Sequence, residues 1–244
     1  PIDIFRVDDN LSTASKIKYL VGVFKAGIGE LSIPQSNVLR CILEAVLSNT
    51  SEESFPQQIL KTLNAVGESA TKSDERTIAS LRNRLEPLIS DINCYGMSKK
   101  TWSDFFAESK PIIVLHTNSI SLDNNHQIID MMLTTLFNYQ NEDFSVSLDI
   151  FIDEIQNQNF SSTSSIRKIM KEGRKIHMAF FGSTQDYYPK KTELGRTMGK
   201  AGTQIFLRPS QDSEQAVAAE LRWKKADIAR FDSMDRGDII VKGA

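Results

Sequence analysis

The stretch Leu148-Asp149-Ile150-Phe151-Ile152-Asp153-Glu154 is a mostly apolar run that ends in two adjacent carboxylates. A short apolar run of this length predicts a strand, so that Asp153 and Glu154 lie where the strand ends. Asp149 inside the run is compatible with a strand if its position lies at a sheet edge or is paired. For Asp153 and Glu154 the alternative is a helix N-cap followed by an acidic residue in the first turn.

Short apolar runs alternate with helical periods through residues 110–244, which is typical of a mainly parallel sheet flanked by helices. The predicted strands are Ile112–Leu115, Leu148–Ile152, Ile176–Phe181, Thr203–Leu207 and Asp238–Val241. Helices that cross over between strands are predicted at Asn124–Tyr139 and Ser164–Gly173, and Gly173 suits the left-handed αL conformation at a helix end. The sequence therefore predicts an α/β core over residues 110–244.

Residues 1–109 are predicted to be mostly helical and to be inserted between an upstream strand and this core. Apolar residues recur at i, i+3 and i+4 over residues 17–24 and 38–47, so each segment buries one face of a helix. A capping box predicts a further helix start at Ser54. Pro87 is expected to kink or end a later helix.

Composition excludes several classes of protein. The chain has 244 residues, of which 40% are hydrophobic, so it can bury a substantial core. Its two cysteines form no CxxC pair, so neither a disulfide framework nor a structural zinc site is indicated. No apolar run has the roughly 20 residues that span a bilayer, and we expect a cytoplasmic protein without a membrane partner. Because it begins at Pro1, we expect an excised domain or a processed product.

Positive charge is concentrated in residues 166–200, although the formal net charge is -2. The segment holds nine basic side chains and three acidic ones. Such a segment is either a solvated helix face with a loop or a surface that follows the phosphates of DNA. The lysines that could contact DNA are Lys168, Lys171, Lys175, Lys190 and Lys191.

The run Leu148–Glu154 resembles the Walker B motif of P-loop ATPases, whose acidic pair lies at the carboxyl edge of the sheet. The resemblance implies that Asp153 holds Mg²⁺ through water and that Glu154 polarises the water that attacks the γ-phosphate of ATP. The next predicted strand ends in Thr184 and Gln185, and the resemblance implies that Gln185, with Thr184 as a substitute, contacts that phosphate. The alternative for Gln185 is a loop residue that caps a turn.

Further motifs follow in the order seen in translocases of the HerA/FtsK class. They are Lys171-Glu172-Gly173-Arg174-Lys175, Thr184-Gln185, Ile205-Phe206-Leu207-Arg208 and Asp235-Arg236-Gly237-Asp238-Ile239-Ile240-Val241. The chain therefore resembles this superfamily of P-loop ATPases, and within it the DptH type of phosphorothioation-dependent DNA restriction systems. The resemblance implies a RecA-like ASCE (additional-strand, catalytic-glutamate) core with an N-terminal helical insertion, ATP and Mg²⁺ as cofactors, DNA as partner and a homo-oligomer, a hexamer.

Two arginines are candidates for stabilising charge during phosphoryl transfer from a neighbouring subunit of such a ring. They are Arg174 and Arg208, and a surface salt bridge is the alternative for each. No G-x-x-x-x-G-K-[S/T] loop occurs in the sequence, because Gly27-Ile28-Gly29-Glu30 lacks the lysine. Either that loop lies upstream of Pro1, which the order of elements favours, or the ATPase is inactive.

The functional prediction is the motor domain of an ATP-driven DNA translocase or helicase in a DNA-processing or restriction system, with partner proteins of a restriction complex. As a fragment without Walker A, the chain alone is expected to be inactive. The alternatives are a pump ATPase of the type IV secretion or conjugation type and a degenerate ATPase that scaffolds a complex without catalysis.

Overall fold

The computed structural model describes residues 3–7, 10–49, 51, 53–95, 100–107, 112–114, 122–142, 146–188 and 190–243. These residues belong to two compact units, Pro1–Phe144 and Ser145–Ala244. In its described part the first unit is helical. The second unit contains helices and short strands, so the chain has a helix-rich α/β structure, as the sequence predicts.

Most helices of the first unit begin close to the predicted positions, but the short helix at Trp102–Ala107 has no predicted counterpart. The helices are α1 (Thr13–Ile28), α2 (Ile33–Leu47), α3 (Phe55–Glu68), α4 (Lys72–Tyr95), α5 (Trp102–Ala107) and α6 (Leu122–Glu142). The start of α3 follows its predicted capping residue, since the amide of Ser54 donates to Oε1 of Gln57 at 3.3 Å. At the start of α2, Ser32 and Gln35 form a reciprocal capping box with bonds of 2.9 and 3.3 Å.

Helix α4 does not end at Pro87, where a kink or a break is predicted. A proline inside a helix removes one hydrogen bond and costs about 3 kcal/mol. Next to it, Leu85, Leu88 and Ile89 are fully buried. Burial of each such side chain contributes about 2 kcal/mol, so tertiary packing keeps the helix intact through the proline.

Helix α6, predicted as a crossover between two strands, packs instead within the first unit. Gly27 of α1 lies so close to its neighbours that an added Cβ would be 2.6 Å from Sδ of Met131 in α6 and 2.8 Å from Cδ2 of Leu88 in α4. Asn124 of α6 donates to Asp91 of α4 at 2.6 Å. These contacts tie α6 to the helical unit, which extends to Phe144. The division of the chain into domains at residues 109 and 110 stays a prediction.

In its described residues the second unit holds four short strands in two pairs. They are β1 (Leu148–Ile152), β2 (Met178–Gly182), β3 (Thr203–Phe206) and β4 (Ile240–Gly243). Strands β1 and β2 are parallel, whereas β3 and β4 are antiparallel, so the parallel arrangement predicted for the sheet holds for one pair. No strand forms over residues 112–114, and Leu115, the end of the strand predicted there, lies outside the described residues.

The helices of this unit are α7 (Ser165–Glu172), α8 (Glu193–Met198) and α9 (Gln211–Glu220). After α7, Gly173 is not in the predicted αL conformation but at φ -54° and ψ -39°, because the chain continues into a 3₁₀ turn at Gly173–Ile176. His177 takes the left-handed conformation instead, at φ 56° and ψ 36°. This turn delays the start of β2 by two residues relative to the predicted Ile176.

Each strand pair has an inner and an outer side. Residues Phe206 of β3 and Ile240 of β4 pack against a core of Val217, Ala218, Phe231 and Met234. On the outer side of the parallel pair the rings of Phe151 and Phe181 stack with centroids 4.6 Å apart. Asp149 lies on that exposed side too, so its charge is not buried and the strand tolerates it. No described helix is long and apolar enough to span a membrane.

Candidate active site

Strands β1 and β2 bring two polar segments to one edge of the parallel pair. Ile152 is in register with Gly182, so both strands end at the same level. The ladder continues past the strands, since the amide of Ser183 donates to the carbonyl of Ile152 at 3.1 Å and the amide of Ile155 to the carbonyl of Ser183 at 2.9 Å. The residues that follow β1 and β2 therefore face one another, as the sequence predicts for the carboxyl ends of parallel strands.

Gly182 at the end of β2 allows this close approach. An added Cβ would lie 2.7 Å from Cγ2 of Ile155, which is buried just beyond the acidic pair. A distance below 3.0 Å to a buried, β-branched side chain leaves no room for any residue larger than glycine without displacement. Glycine here is a requirement of packing at the edge that carries the polar residues.

Asp153 is exposed at this edge and accepts two hydrogen bonds through Oδ1. The donors are the hydroxyl of Ser183 and the amide of Glu154, the latter at 2.9 Å. The Ser183 hydroxyl, followed by the Glu154 amide, holds the pKa of Asp153 below its usual value. The side chain is therefore an ionised, accessible carboxylate with a fixed orientation.

Glu154 has a left-handed backbone, φ 49° and ψ 51°, which is uncommon for a residue other than glycine. It turns the chain from β1 into a 3₁₀ turn at Ile155–Asn157. Its Oε1 accepts a hydrogen bond of 2.5 Å from Nε2 of Gln185, and its Oε2 one of 3.3 Å from Nδ2 of Asn157. Strained backbone conformations of this kind are concentrated at functional sites.

The structure thus brings together three of the predicted residues, Asp153, Glu154 and Gln185. Thr184 immediately precedes Gln185 in the sequence. Its hydroxyl donates within the loop, to the carbonyl of Asp186 at 3.3 Å. Two contributors were not predicted. Ser183 and Asn157 follow the two strands, and only the register of the strands and the 3₁₀ turn show that they contact the acidic pair.

The two arginines lie elsewhere in the second unit. Among the described residues, neither guanidinium reaches hydrogen-bonding distance of the acidic pair. Arg174 is exposed in the 3₁₀ turn after α7. Arg208 follows β3, with Nη2 4.0 Å from Oδ1 of Asp232 and its side chain 55% exposed. An exposed pair at this distance is a weak salt bridge, the alternative that the sequence leaves open for Arg208.

The predicted DNA-contacting lysines differ in their surroundings. Lys168, Lys171 and Lys175 are exposed on α7 and the turn after it, and Lys171 is 3.9 Å from its neighbour Glu172. Lys191 is exposed as well. Lys190, by contrast, forms an ion pair of 2.7 Å with Glu220, whose side chain is 2% exposed. Its charge is therefore offset by a buried carboxylate that the sequence pattern did not reveal.

The site suits one part of an ATPase centre. Mg²⁺ prefers oxygen ligands and in such sites binds one or two carboxylates, waters and substrate phosphates, so the ionised, accessible Asp153 fits it. In the part of the chain that is described, no three His, Cys, Asp or Glu side chains lie so that they could together hold a metal ion. A contact of Asp153 with Mg²⁺ through water does not need such a cluster. The site has no backbone loop and lysine that would bind the phosphates of ATP, since the sequence contains no G-x-x-x-x-G-K-[S/T] motif.

The structure combines an α/β arrangement with a parallel strand that ends in two carboxylates. It is similar to VirB4 of Thermoanaerobacter pseudethanolicus, with a TM-score of 0.61 over 98% of this chain and 69% of that one, at 12% sequence identity. Similarity at this identity shows the fold. No family model and no curated protein matches the sequence. The comparisons do not support the HerA/FtsK class or the DptH type, which stay predictions from the motifs.

Proposed function

We propose that the chain belongs to the ATP-hydrolysing motor of an ATPase of the secretion or conjugation type. The carrying observation is the hydrogen bond of 2.5 Å from Gln185 to Glu154 across the edge of the parallel strands. VirB4, the structural neighbour, is a P-loop ATPase of the type IV secretion system, and its fold extends over nearly all of this chain. That relationship favours a secretion-type motor over the restriction-type translocase that the motif order indicates.

Each residue of the site has a distinct task in this proposal. Asp153 would hold Mg²⁺ through water, and the Ser183 hydroxyl keeps its carboxylate ionised and oriented. Glu154 accepts a proton from the attacking water, whose oxygen bonds to the γ-phosphorus while the bond from that phosphorus to the bridging oxygen breaks and ADP leaves. Gln185, bonded to Glu154 here, reaches the γ-phosphate when ATP is bound. Bound at Asp153, Mg²⁺ would supply positive charge that neutralises the phosphate oxygens.

A second candidate function is ATP-driven DNA translocation or unwinding. It rests on the exposed lysines of α7 and the following turn, Lys168, Lys171 and Lys175, which lie in the segment with nine basic residues. In this proposal the motor is a hexamer, and Arg174 or Arg208 reaches the site of the adjacent subunit. A restriction complex would supply its partner proteins.

The test is the variant Glu154→Gln in the full-length protein. It removes the proton acceptor but keeps the side chain's shape, so ATP hydrolysis should fall by about 100-fold or more while binding of ATP persists. Hydrolysis is measured by phosphate release and binding by calorimetry. The control is Asp149→Asn, an exposed carboxylate on the same strand, which should retain activity.

Two results would contradict the proposal. Unchanged turnover in Glu154→Gln would remove Glu154 from the hydrolytic site. A wild-type protein that binds no ATP and hydrolyses none would favour the remaining alternative, a degenerate ATPase that acts as a scaffold.

A further inference from the structure

Both carboxylate oxygens of Glu154 are bonded to side-chain amides, but the two amides come from different places. Gln185 follows β2 and is separated from Glu154 by 31 positions in the sequence. Asn157 lies three positions after Glu154, at the end of the 3₁₀ turn. The first contact crosses between two strands, and the second lies within one turn.

This difference determines which contact can persist during a reaction. A rearrangement of the loop after β2 moves Gln185 away from Glu154, because nothing but the hydrogen bond joins the two side chains. Asn157 moves with Glu154, since the backbone of the turn connects them and the amide of Asn157 donates to the carbonyl of Glu154 at 3.0 Å. The local amide therefore keeps its geometry when the distant one leaves.

We propose that Asn157 is a positioning residue for Glu154. The Asn157 amide holds Oε2 of Glu154 in place. Oε1 then becomes available to the attacking water when Gln185 leaves it to contact the γ-phosphate. The left-handed backbone at Glu154, φ 49°, needs such support, because a non-glycine residue persists in that region only when its surroundings hold it. The inference rests on the proposed hydrolytic function and adds a residue that neither the motif nor the fold similarity assigns.

The first test needs no nucleotide. In the ¹H–¹⁵N spectrum of the protein, the side-chain amide signals of Asn157 should shift when Glu154→Gln replaces the charged acceptor. The signals of Asn159, whose Oδ1 accepts from the amide of Ser161 at 2.9 Å, are the internal control and should stay in place. If the Asn157 signals do not move, the contact on which the inference rests is absent.

The second test separates positioning from folding by kinetics in the full-length protein. Asn157→Ala should lower kcat for ATP hydrolysis by about 10-fold and leave KM unchanged, because misplacing a catalytic group weakens the reaction more than binding. Asn157→Asp keeps the shape but lacks the donor, and it should be at least as impaired. The control is Gln158→Ala at the next position, with kcat as in the wild type.

The outcomes distinguish this inference from the proposed function. A full kcat in Asn157→Asp, with Glu154→Gln inactive, overturns the role of Asn157 and leaves the hydrolytic site standing. Unchanged turnover in Glu154→Gln overturns the hydrolytic site itself. In the Glu154→Gln background, Asn157→Ala should cause no further loss, since the two residues act as one unit.

Discussion

Nζ of Lys190 lies 2.7 Å from Oε2 of Glu220, a carboxylate at the end of α9 whose side chain is 2% exposed. Lys242 of β4 donates to Oε1 of the same carboxylate, and the hydroxyl of Tyr187 donates to Oε2 at 3.2 Å. Burial raises the pKa of Glu220, but the Lys190 and Lys242 ammonium groups outweigh it and hold the pKa at about 2. The buried carboxylate of Glu220 thus links α9 to the loop after β2 and to β4.

The first prediction concerns the pH dependence of stability. The folded-state pKa of Glu220 is below its ordinary value of 4.5, so its contribution to stability is present above pH 4.5 and is lost as pH falls towards about 2. Glu220→Gln should lower the free energy of unfolding by about 2 kcal/mol at neutral pH, because two ammonium groups lose their partner. The difference from wild type should shrink across that acidic range.

Urea unfolding at several pH values measures both effects. Asp186→Asn, at an exposed carboxylate in the same unit, is the control and should follow the wild type. A Glu220→Gln deficit that stays constant from pH 7 to pH 2 would show that the charge of Glu220 does not stabilise the fold.

A second prediction separates the lysines of the basic segment. Charge reversal at Lys168, Lys171 and Lys175 should weaken DNA binding by about 10-fold or more and flatten its dependence on salt, because fewer counterions are released. Reversal at Lys18, Lys61 and Lys72, which are exposed in the first unit, changes the net charge equally and is the matched control. Fluorescence anisotropy between 50 and 200 mM salt measures both quantities. Equal losses in the two triple variants would indicate an effect of net charge alone.

Local patterns were enough to predict the elements near the site. Strand β1 spans the predicted Leu148–Ile152. Helix α7 begins one residue after its predicted start, Ser164, whose hydroxyl caps the helix by accepting from the amide of Arg167. Both depend on periodicity and capping within a few residues. The antiparallel pairing of β3 with β4 was not predictable in this way, because a strand's own sequence does not determine its partner.

The difference between local patterns and long-range contacts applies to the site as well. Asp153, Glu154 and Gln185 were predicted together because polar residues that follow neighbouring parallel strands meet at one edge. The contact of Lys190 with Glu220 was not, since 29 residues separate them and α9 carries no motif. Long-range pairs of single charges arise from tertiary packing, which no local pattern encodes.

A third prediction compares two glycines of α1. Gly27 contacts Met131 and Leu88 so closely that Gly27→Ala should destabilise the protein by about 1–3 kcal/mol through overpacking. At Gly22 an added Cβ meets nothing within 4 Å, so Gly22→Ala should stabilise the helix by about 0.5–1 kcal/mol. Urea unfolding of both variants measures the opposite signs. The same sign for both would mean that the close approach at Gly27 does not form.

The last prediction concerns Gly182 at the end of β2. Because it has no side chain, the segment after β1 can pack directly against it. In Gly182→Ala the new methyl group meets Cγ2 of Ile155 at 2.7 Å, and Ile155 cannot retreat because it is buried. Displacement should break the bond of 2.9 Å from the Ile155 amide to the Ser183 carbonyl. The amide of Ile155 should then exchange its hydrogen at least about 10-fold faster, which corresponds to a loss of about 1.4 kcal/mol in local stability.

The matched control for this variant is Gly202→Ala, just before β3, where an added Cβ meets nothing within 4 Å. Its Ile155 amide should exchange at the wild-type rate. The side-chain amide signals of Gln185 should shift in Gly182→Ala and not in the control, because Gln185 reaches Glu154 only while the strand ends stay together. If the Ile155 amide of Gly182→Ala exchanges as slowly as in the wild type, the strand ends accommodate the methyl group without loss of local stability. Glycine at position 182 is then not required for the site.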